Sequence, residues 1–161
     1  AGAGGAGGGM SSEEEFMEQA LCLAREAAAE GEVPVGAVVV RDGVVIGRGR
    51  NRRERDRNAL AHAEIEAIAE ACRTLGGWRL SGCDLYVTLE PCPMCAGAII
   101  NARIDRVIQG TADPKAGSCG SVVDLFRLPY NHRPEHVCGV LEDACRQVLK
   151  EFFGELRRRV R

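Results

Sequence analysis

The sequence predicts an α/β fold, in which helices lie on both faces of a central mixed five-stranded sheet. Apolar strands alternate with helical segments through the second half of the chain, which is typical of this class. The Val-rich runs 33–40 and 44–49 near the start are almost continuously apolar, as strands covered on both faces are. We therefore expect three layers, α/β/α.

The chain length indicates one domain. Its 161 residues suffice to bury a substantial core. Residues 1–9 are only Gly and Ala, a composition typical of a flexible linker, so we expect a leader of vector origin with Met10 as the natural start. The expected domain therefore comprises residues 10–161.

Charge and cysteine content exclude few functions. The formal net charge is −2, but nucleic-acid binding depends on a local basic surface and not on the total. Eight cysteines without an apolar signal peptide indicate a reducing cytoplasm better than a secreted disulfide scaffold. No apolar run approaches the roughly 18 residues that a membrane span needs.

The first helix and a hairpin open the predicted domain. Ser12 and Glu15 have capping-box spacing, and apolar residues then recur at helical intervals up to Gly31. Two strands follow, 33–40 and 44–49, with Arg41-Asp42-Gly43 as the turn between them.

A basic loop, residues 49–58, follows the hairpin. It contains five arginines against Glu54 and Asp56. Such a loop can bind RNA phosphates or can simply be a solvated surface, and abundance of arginine alone does not separate the two.

Strands and helices alternate through the remainder. Helices are predicted at 61–75, 94–102 and 142–156, and strands at 85–89, 106–110 and 136–140. The polar loop 111–121 follows a strand end, where substrate contacts often lie. The helices at 61–75 and 94–102 begin near strand ends, where open α/β sheets bind their ligands.

The first turns of two of these helices carry a predicted metal site. His62, Cys92 and Cys95 are three zinc ligands, one short of a closed tetrahedron, which leaves a position for water. Zinc lowers the pKa of bound water to about 7. Glu64 lies two residues from His62, and we assign it as the general acid and base.

Two other interpretations remain for these residues. One of the six other cysteines would complete a structural zinc site. A lone Cys-x-x-Cys is also found in redox pairs, although the Pro-Met interior and the His-x-Glu segment do not favour that chemistry.

The motif His-x-Glu followed by Pro-Cys-x-x-Cys resembles the zinc-dependent nucleoside and nucleobase deaminases. Longer segments, 33–37, 85–98, 113–117 and 131–133, are similar to the bacterial tRNA adenosine deaminases, and the likeness covers roughly residues 13–153. It implies a cytidine-deaminase-like fold, one zinc per chain and a homodimer.

The resemblance also implies substrate contacts. It places Asn51 in the base pocket, Asp113 near a ribose hydroxyl and Lys115 near phosphate, each of which is otherwise a turn or surface residue. The segment with Asn131 and His132 is expected to hold flanking nucleotides. The last candidates are at the basic C-terminal end, where Gly154 and Glu155 interrupt the pattern of the family: Phe153, Arg157 and Arg158.

The predicted function is therefore hydrolytic deamination of adenosine to inosine at the wobble position of a tRNA anticodon loop, with the anticodon stem-loop as partner. The alternative is a small-molecule deaminase acting on guanine or a cytosine nucleoside, because the metal motif does not select the substrate. A structural zinc protein that binds RNA without chemistry is a third possibility; it would tolerate loss of Glu64.

Overall fold

A computed structural model describes residues 9–160. The predicted leader falls mainly on residues 1–8, outside this range. Along the chain the elements are α1 (Ser12–Ala29), β1 (Gly36–Arg41), β2 (Val44–Arg50), α2 (Arg53–Asp56), α3 (Ala63–Leu75), β3 (Cys83–Leu89), α4 (Pro93–Ala102), β4 (Arg106–Thr111), a 3₁₀ turn (Leu125–Arg127), β5 (Glu135–Val137) and α5 (Glu142–Val160). None of the helices between residues 9 and 160 has the length and apolarity to cross a membrane.

The five strands form one mixed sheet in the order β2-β1-β3-β4-β5. β1 is antiparallel to both β2 and β3, whereas β3, β4 and β5 run parallel. The crossover from β3 to β4 contains α4, whereas the crossover from β4 to β5 is a long loop with the 3₁₀ turn. The mixed five-stranded sheet predicted from the sequence is confirmed.

Two apolar cores lie on opposite faces of the sheet. One packs α3 and α4 against the strands and contains Ala67, Ile99 and Val107. The other packs α1 and α5 and contains Met17 and Cys145. The three-layer arrangement follows from these two cores, since each face of the sheet needs helices to exclude water from it.

β2 approaches α3 unusually closely. A Cβ atom at Gly47 would lie 2.2 Å from the Ala67 carbonyl oxygen, and one at Gly49 would lie 2.1 Å from the Ala63 carbonyl oxygen. Only glycine permits this separation. Gly49 therefore allows the start of α3, and Gly47 its middle, to pack against β2.

The outer edge of β2 bonds to side chains of α3. The Arg48 and Arg50 amides donate to the carboxylates of Glu70 (2.9 Å) and Glu66 (3.4 Å). The Thr74 hydroxyl donates to the Ile46 carbonyl at 2.9 Å. Residues 66, 70 and 74 are four apart and share one helix face, so they match alternate residues of the strand.

Several predicted boundaries are corrected. The α1 cap is Ser11, whose hydroxyl accepts from the Glu14 amide while Glu14 bonds back, so the capping box is one residue earlier than Ser12 and Glu15. β1 begins at residue 36, and Val33 and Val35 before it line the cavity described below. β5 covers 135–137, and α5 continues to residue 160. The short α2 and the 3₁₀ turn were not predicted.

Candidate active site

Three residues with metal-binding side chains meet where α3 and α4 begin. His62 is the N-cap of α3, and Cys92, three residues after the end of β3, is the N-cap of α4. Cys95 follows in the first turn of α4. His62 and Cys92 both have extended backbone, so each lies just outside its helix rather than within the first turn as predicted. Pro93 occupies the first helical position, where its fixed φ favours helix initiation.

The donor atoms have the spacing that zinc requires. His62 Nδ1 lies 3.6 Å from Cys92 Sγ and 3.6 Å from Cys95 Sγ, and all three atoms are within 4.8 Å of one another. Ligand lengths in a tetrahedral zinc site place nitrogen and sulfur about 3.5 Å apart. The group therefore fits zinc with three protein ligands. Among residues 9–160 no further His, Cys, Asp or Glu joins it.

Proton sharing within the group concentrates negative charge on one sulfur. A hydrogen bond from Cys95, with a second from His62, lowers the pKa of Cys92 to about 4. The bond to Cys92 in turn raises the pKa of His62. Cations displace protons from such ligands, and a thiolate at a helix N-terminus is a favourable one.

Glu64 lies beside the metal ligands on the first turn of α3. Its side chain is 4% exposed, and burial raises its pKa to about 7. A carboxyl group with that pKa is half-protonated near neutral pH. It is therefore able both to accept and to donate a proton there.

Glu64 and two of the three metal-binding residues line a cavity of about 460 Å³, a volume in the range of small-molecule sites. Val33, Val35, Asn51 and Arg53 line one part of it, and residues 112–116 line another. Leu149 and Phe153 of α5 complete the lining. His62 and Cys92 reach this lining, whereas Cys95 is fully buried behind them.

A buried carboxylate, Glu90, holds the loop that follows β4. Its oxygens accept the amides of Asp113 (3.0 Å), Cys119 (3.0 Å) and Ser121 (3.1 Å), and also the Ser121 hydroxyl. Burial alone would raise the pKa of Glu90, but these donors together lower it. The loop packs so closely that a Cβ at Gly117 would lie 2.3 Å from the carboxyl carbon. The loop is therefore fixed to the residue that precedes Pro91 and Cys92.

Four predicted substrate contacts line the cavity: Asn51, Asp113, Lys115 and Phe153. The Asn51 amide donates to the Val33 carbonyl at 3.2 Å, which leaves part of its donor capacity for a ligand. Asp113 Oδ1 accepts the amides of Lys115 and Ala116, so this side chain also shapes its own turn. Lys115 is exposed, and Phe153 is 39% exposed.

Four other predicted contacts lie outside the cavity lining. His132 donates from Nε2 to the Ile104 carbonyl at 2.7 Å, just before β4 begins, and Asn131 is exposed beside it. Arg157 and Arg158 are exposed near the end of α5, where Arg158 pairs with Glu155 at 2.8 Å. Their contacts with flanking nucleotides stay predictions.

Sequence reasoning missed three residues of the site: Glu32, Arg53 and Glu90. Glu90 directly precedes the Pro-Cys motif, and that position was a signal that it serves the site. Arg53 was one of five arginines in the basic loop, with nothing to distinguish it. Glu32 is 2% exposed and carried no signal, because its partners are distant backbone amides.

Comparison with known proteins identifies the family. The MafB19-like deaminase model matches residues 11–157. The tRNA-specific adenosine deaminase of Bacillus subtilis (strain 168) is 48% identical over 151 residues, which covers 93% of this chain and 94% of that protein.

Solved structures agree with this match. One comes from studies of A-to-I editing by tRNA:A34 deaminases at the wobble position of transfer RNA; it has a TM-score of 0.82 and 49% identity, covering 84% of this chain and 99% of that one. A guanine deaminase from Bacillus subtilis has a TM-score of 0.61 and 38% identity, covering 74% and 80%. The chain therefore belongs to the MafB19-like deaminases and, among them, to the family of tRNA-specific adenosine deaminases.

Proposed function

We propose that this chain hydrolytically deaminates adenosine to inosine at the wobble position of a tRNA anticodon loop. The observation that carries the proposal is the placement of the buried Glu64 carboxyl beside three metal donors at one cavity. The names of its relatives supply the substrate class. We propose residues 10–161 as one deaminase domain.

The metal of the proposed reaction is a single zinc ion, bound by His62, Cys92 and Cys95. When bound, zinc supplies a water molecule whose pKa is about 7, and therefore a hydroxide nucleophile near neutral pH. The donor set supports zinc over magnesium or calcium, because thiolate and imidazole ligands disfavour those two ions.

Glu64 moves the protons of the reaction. Its carboxylate accepts one from the attacking water and returns one to the purine ring nitrogen next to C6. A further transfer reaches the departing amine, so that water and adenosine give inosine and ammonia. The raised pKa of Glu64 suits this exchange, because the group changes protonation state with little free-energy cost near pH 7.

The cavity admits a base only after the base has left its stack. Unstacking costs less in an anticodon loop than in a duplex, which favours a loop as substrate. Asn51 faces the cavity with amide groups able to bond a purine edge, and Asp113 is available to a ribose hydroxyl.

The remaining parts of the proposal concern the oligomeric state, the cellular location and the contacts to flanking RNA. We propose a homodimer, which the family resemblance supports, and a cytoplasmic location, which its tRNA substrate and unpaired cysteines support. The eight cysteines are free, as expected for a reducing compartment. Asn131, His132, Arg157 and Arg158 remain proposed contacts to flanking RNA.

The decisive experiment measures inosine formation on an anticodon stem-loop with adenosine at the wobble position. Free guanine and cytidine are assayed in parallel at equal enzyme concentration. The proposal expects conversion of the stem-loop alone. The likeness to a guanine deaminase makes free guanine the informative comparison, because its conversion without any RNA product would replace the proposed substrate.

A further inference from the structure

Most arginines of the basic loop, residues 49–58, already have carboxylate partners. Arg50 bonds Glu30 at 2.7 Å, Arg55 also pairs with Glu30, and Arg52 lies 3.7 Å from Glu66. These guanidinium groups anchor the loop to α1 and α3. They are therefore less available to bind a phosphate than their number in the sequence indicates.

Arg53 differs from its neighbours. No carboxylate of residues 9–160 forms an ion pair with it, and Arg53 lines the same cavity as His62 and Glu64. Arg57 likewise has no ion pair within the described chain, but it does not line the cavity. A single unneutralised arginine of the loop thus faces the substrate space.

Glu32 fixes the segment that carries Arg53. The carboxylate of Glu32 accepts the Glu54 amide at 3.1 Å and the Arg55 amide at 2.7 Å. These are free amides in the first turn of α2, whose own N-cap, Arg52, makes no side-chain cap bond. Because Glu32 is buried and its carboxylate bonds both amides, α2 has a defined position although it has only four residues.

A second cation, Lys115, lines the same cavity from the loop that Glu90 holds. This loop follows β4, whereas Arg53 follows β2, and β1 and β3 lie between those two strands in the sheet. A nucleotide within an RNA has a phosphate on either side of its base. Two cations that line one cavity from separate strands of the sheet therefore suit the backbone on both sides of an inserted base.

We propose that Arg53 binds a backbone phosphate next to the target nucleotide, and that Glu32 is the positioning residue that holds Arg53 at the cavity. The inference rests on the proposed RNA substrate. It assigns the RNA-binding role of the loop to one arginine, and assigns a structural role to Arg50, Arg52 and Arg55.

The first test compares Arg53→Gln with Arg55→Gln in the full-length, zinc-loaded protein. Both remove one positive charge from α2, so they alter the general electrostatic field equally. Arg53→Gln is expected to raise KM for the stem-loop about tenfold with kcat within about twofold, because a charge-assisted bond to phosphate is lost. Arg55→Gln is expected to change KM less than about twofold.

The salt dependence of KM gives an independent measure. One lost phosphate contact reduces the slope of log KM against log salt by about 0.7 to 1. Equal KM changes in both variants, or an unchanged slope for Arg53→Gln, would overturn the proposal. Absence of inosine with the wild-type protein would instead contradict the proposed function, so the two failures are distinct.

A double-mutant cycle tests the role of Glu32. Glu32→Gln conserves volume but directs an amide NH₂ group at a backbone N–H, so Arg53 should lose its position and KM should rise with kcat maintained. In the Arg53→Gln background the same change should add nothing to KM. If the two substitutions instead raise KM by independent factors that multiply in the double variant, Glu32 does not act through Arg53 and its role is only structural. Glu32→Asp, which keeps the charge but shortens the side chain, replaces the Gln variant if that protein does not fold.

Discussion

A proton-transferring role for Glu64 predicts a specific kinetic defect. Glu64→Gln keeps the size and shape of the side chain but removes its ability to exchange protons. We expect kcat to fall by about 10² to 10⁴ with zinc still bound at one per chain, since proton transfer by a positioned side chain contributes that much. Inosine formation by single turnover and metal analysis of the same sample measure both quantities. Near-normal turnover would remove Glu64 from the mechanism.

At the residue scale, the clustering of three metal-binding side chains beside Glu64 was predictable, because the spacing of these residues in the sequence is itself informative. His62 and Glu64 are two apart, and Cys92 and Cys95 are three apart, so short-range geometry brings each pair together before any tertiary contact forms. The carboxylates of Glu32 and Glu90 are different. Each binds backbone amides more than 20 positions away, and backbone amides carry no residue-type signal.

At the scale of elements, the start of α1 gives a direct test of the cap. Ser11→Ala removes the hydroxyl that accepts the Glu14 amide and should reduce the free energy of unfolding by about 1 kcal/mol. Ser12→Ala is the matched control, and it should have almost no effect because Ser12 is already inside the helix. Denaturant unfolding of the two variants measures the difference. A larger loss for Ser12→Ala would return the cap to the position predicted from the sequence.

The contact between β2 and α3 predicts a strong effect at a small residue. Gly49→Ala places a methyl group against the Ala63 carbonyl, between His62 and Glu64 in the chain. We expect a loss of about 1–3 kcal/mol of unfolding free energy and lower zinc affinity, because α3 must shift.

Gly77→Ala is the control for this prediction. Gly77 is exposed, and a Cβ there would meet no atom within 4 Å. Equal melting temperatures and equal zinc affinity for the two variants would mean that α3 relaxes without disturbing the metal donors.

Helices and strands with a clear apolar period were predicted, and charged short ones were not. The hairpin of β1 and β2 followed from two Val-rich runs around Arg41-Asp42-Gly43. By contrast, α2 contains only Arg, Glu and Asp, and it exists because Glu32 caps it from another part of the chain. The helix propensity of these four residues does not reveal a cap that comes from a distant part of the chain.

For the whole molecule, the net charge of −2 makes RNA binding depend on where the cations lie. We expect KM for the stem-loop to rise steeply between about 50 and 200 mM salt, as bound phosphates release counterions. Turnover of a free nucleoside, if measurable, is the control and should vary little over that range. A KM for RNA that is independent of salt would show that phosphate contacts contribute little.

The three layers were predictable because alternation of strands and helices, together with strands apolar on both faces, constrains the architecture strongly. Which loops meet at the cavity was not. Residues 33–35, 51–53 and 112–116 come together only after the strand order β2-β1-β3-β4-β5 is set, and strand order does not appear in local patterns.

The bonds from α3 to the border of β2 also bear on self-association. An exposed border strand offers unpaired amides and carbonyls to any other extended chain, which is how sheets grow into aggregates. Here the amides of Arg48 and Arg50 and the carbonyl of Ile46 are already bonded to Glu66, Glu70 and Thr74. The far border, β5, is only three residues long. The molecule thus resists fibril growth at both ends of its sheet, with protection at one end provided by the helix that carries Glu64.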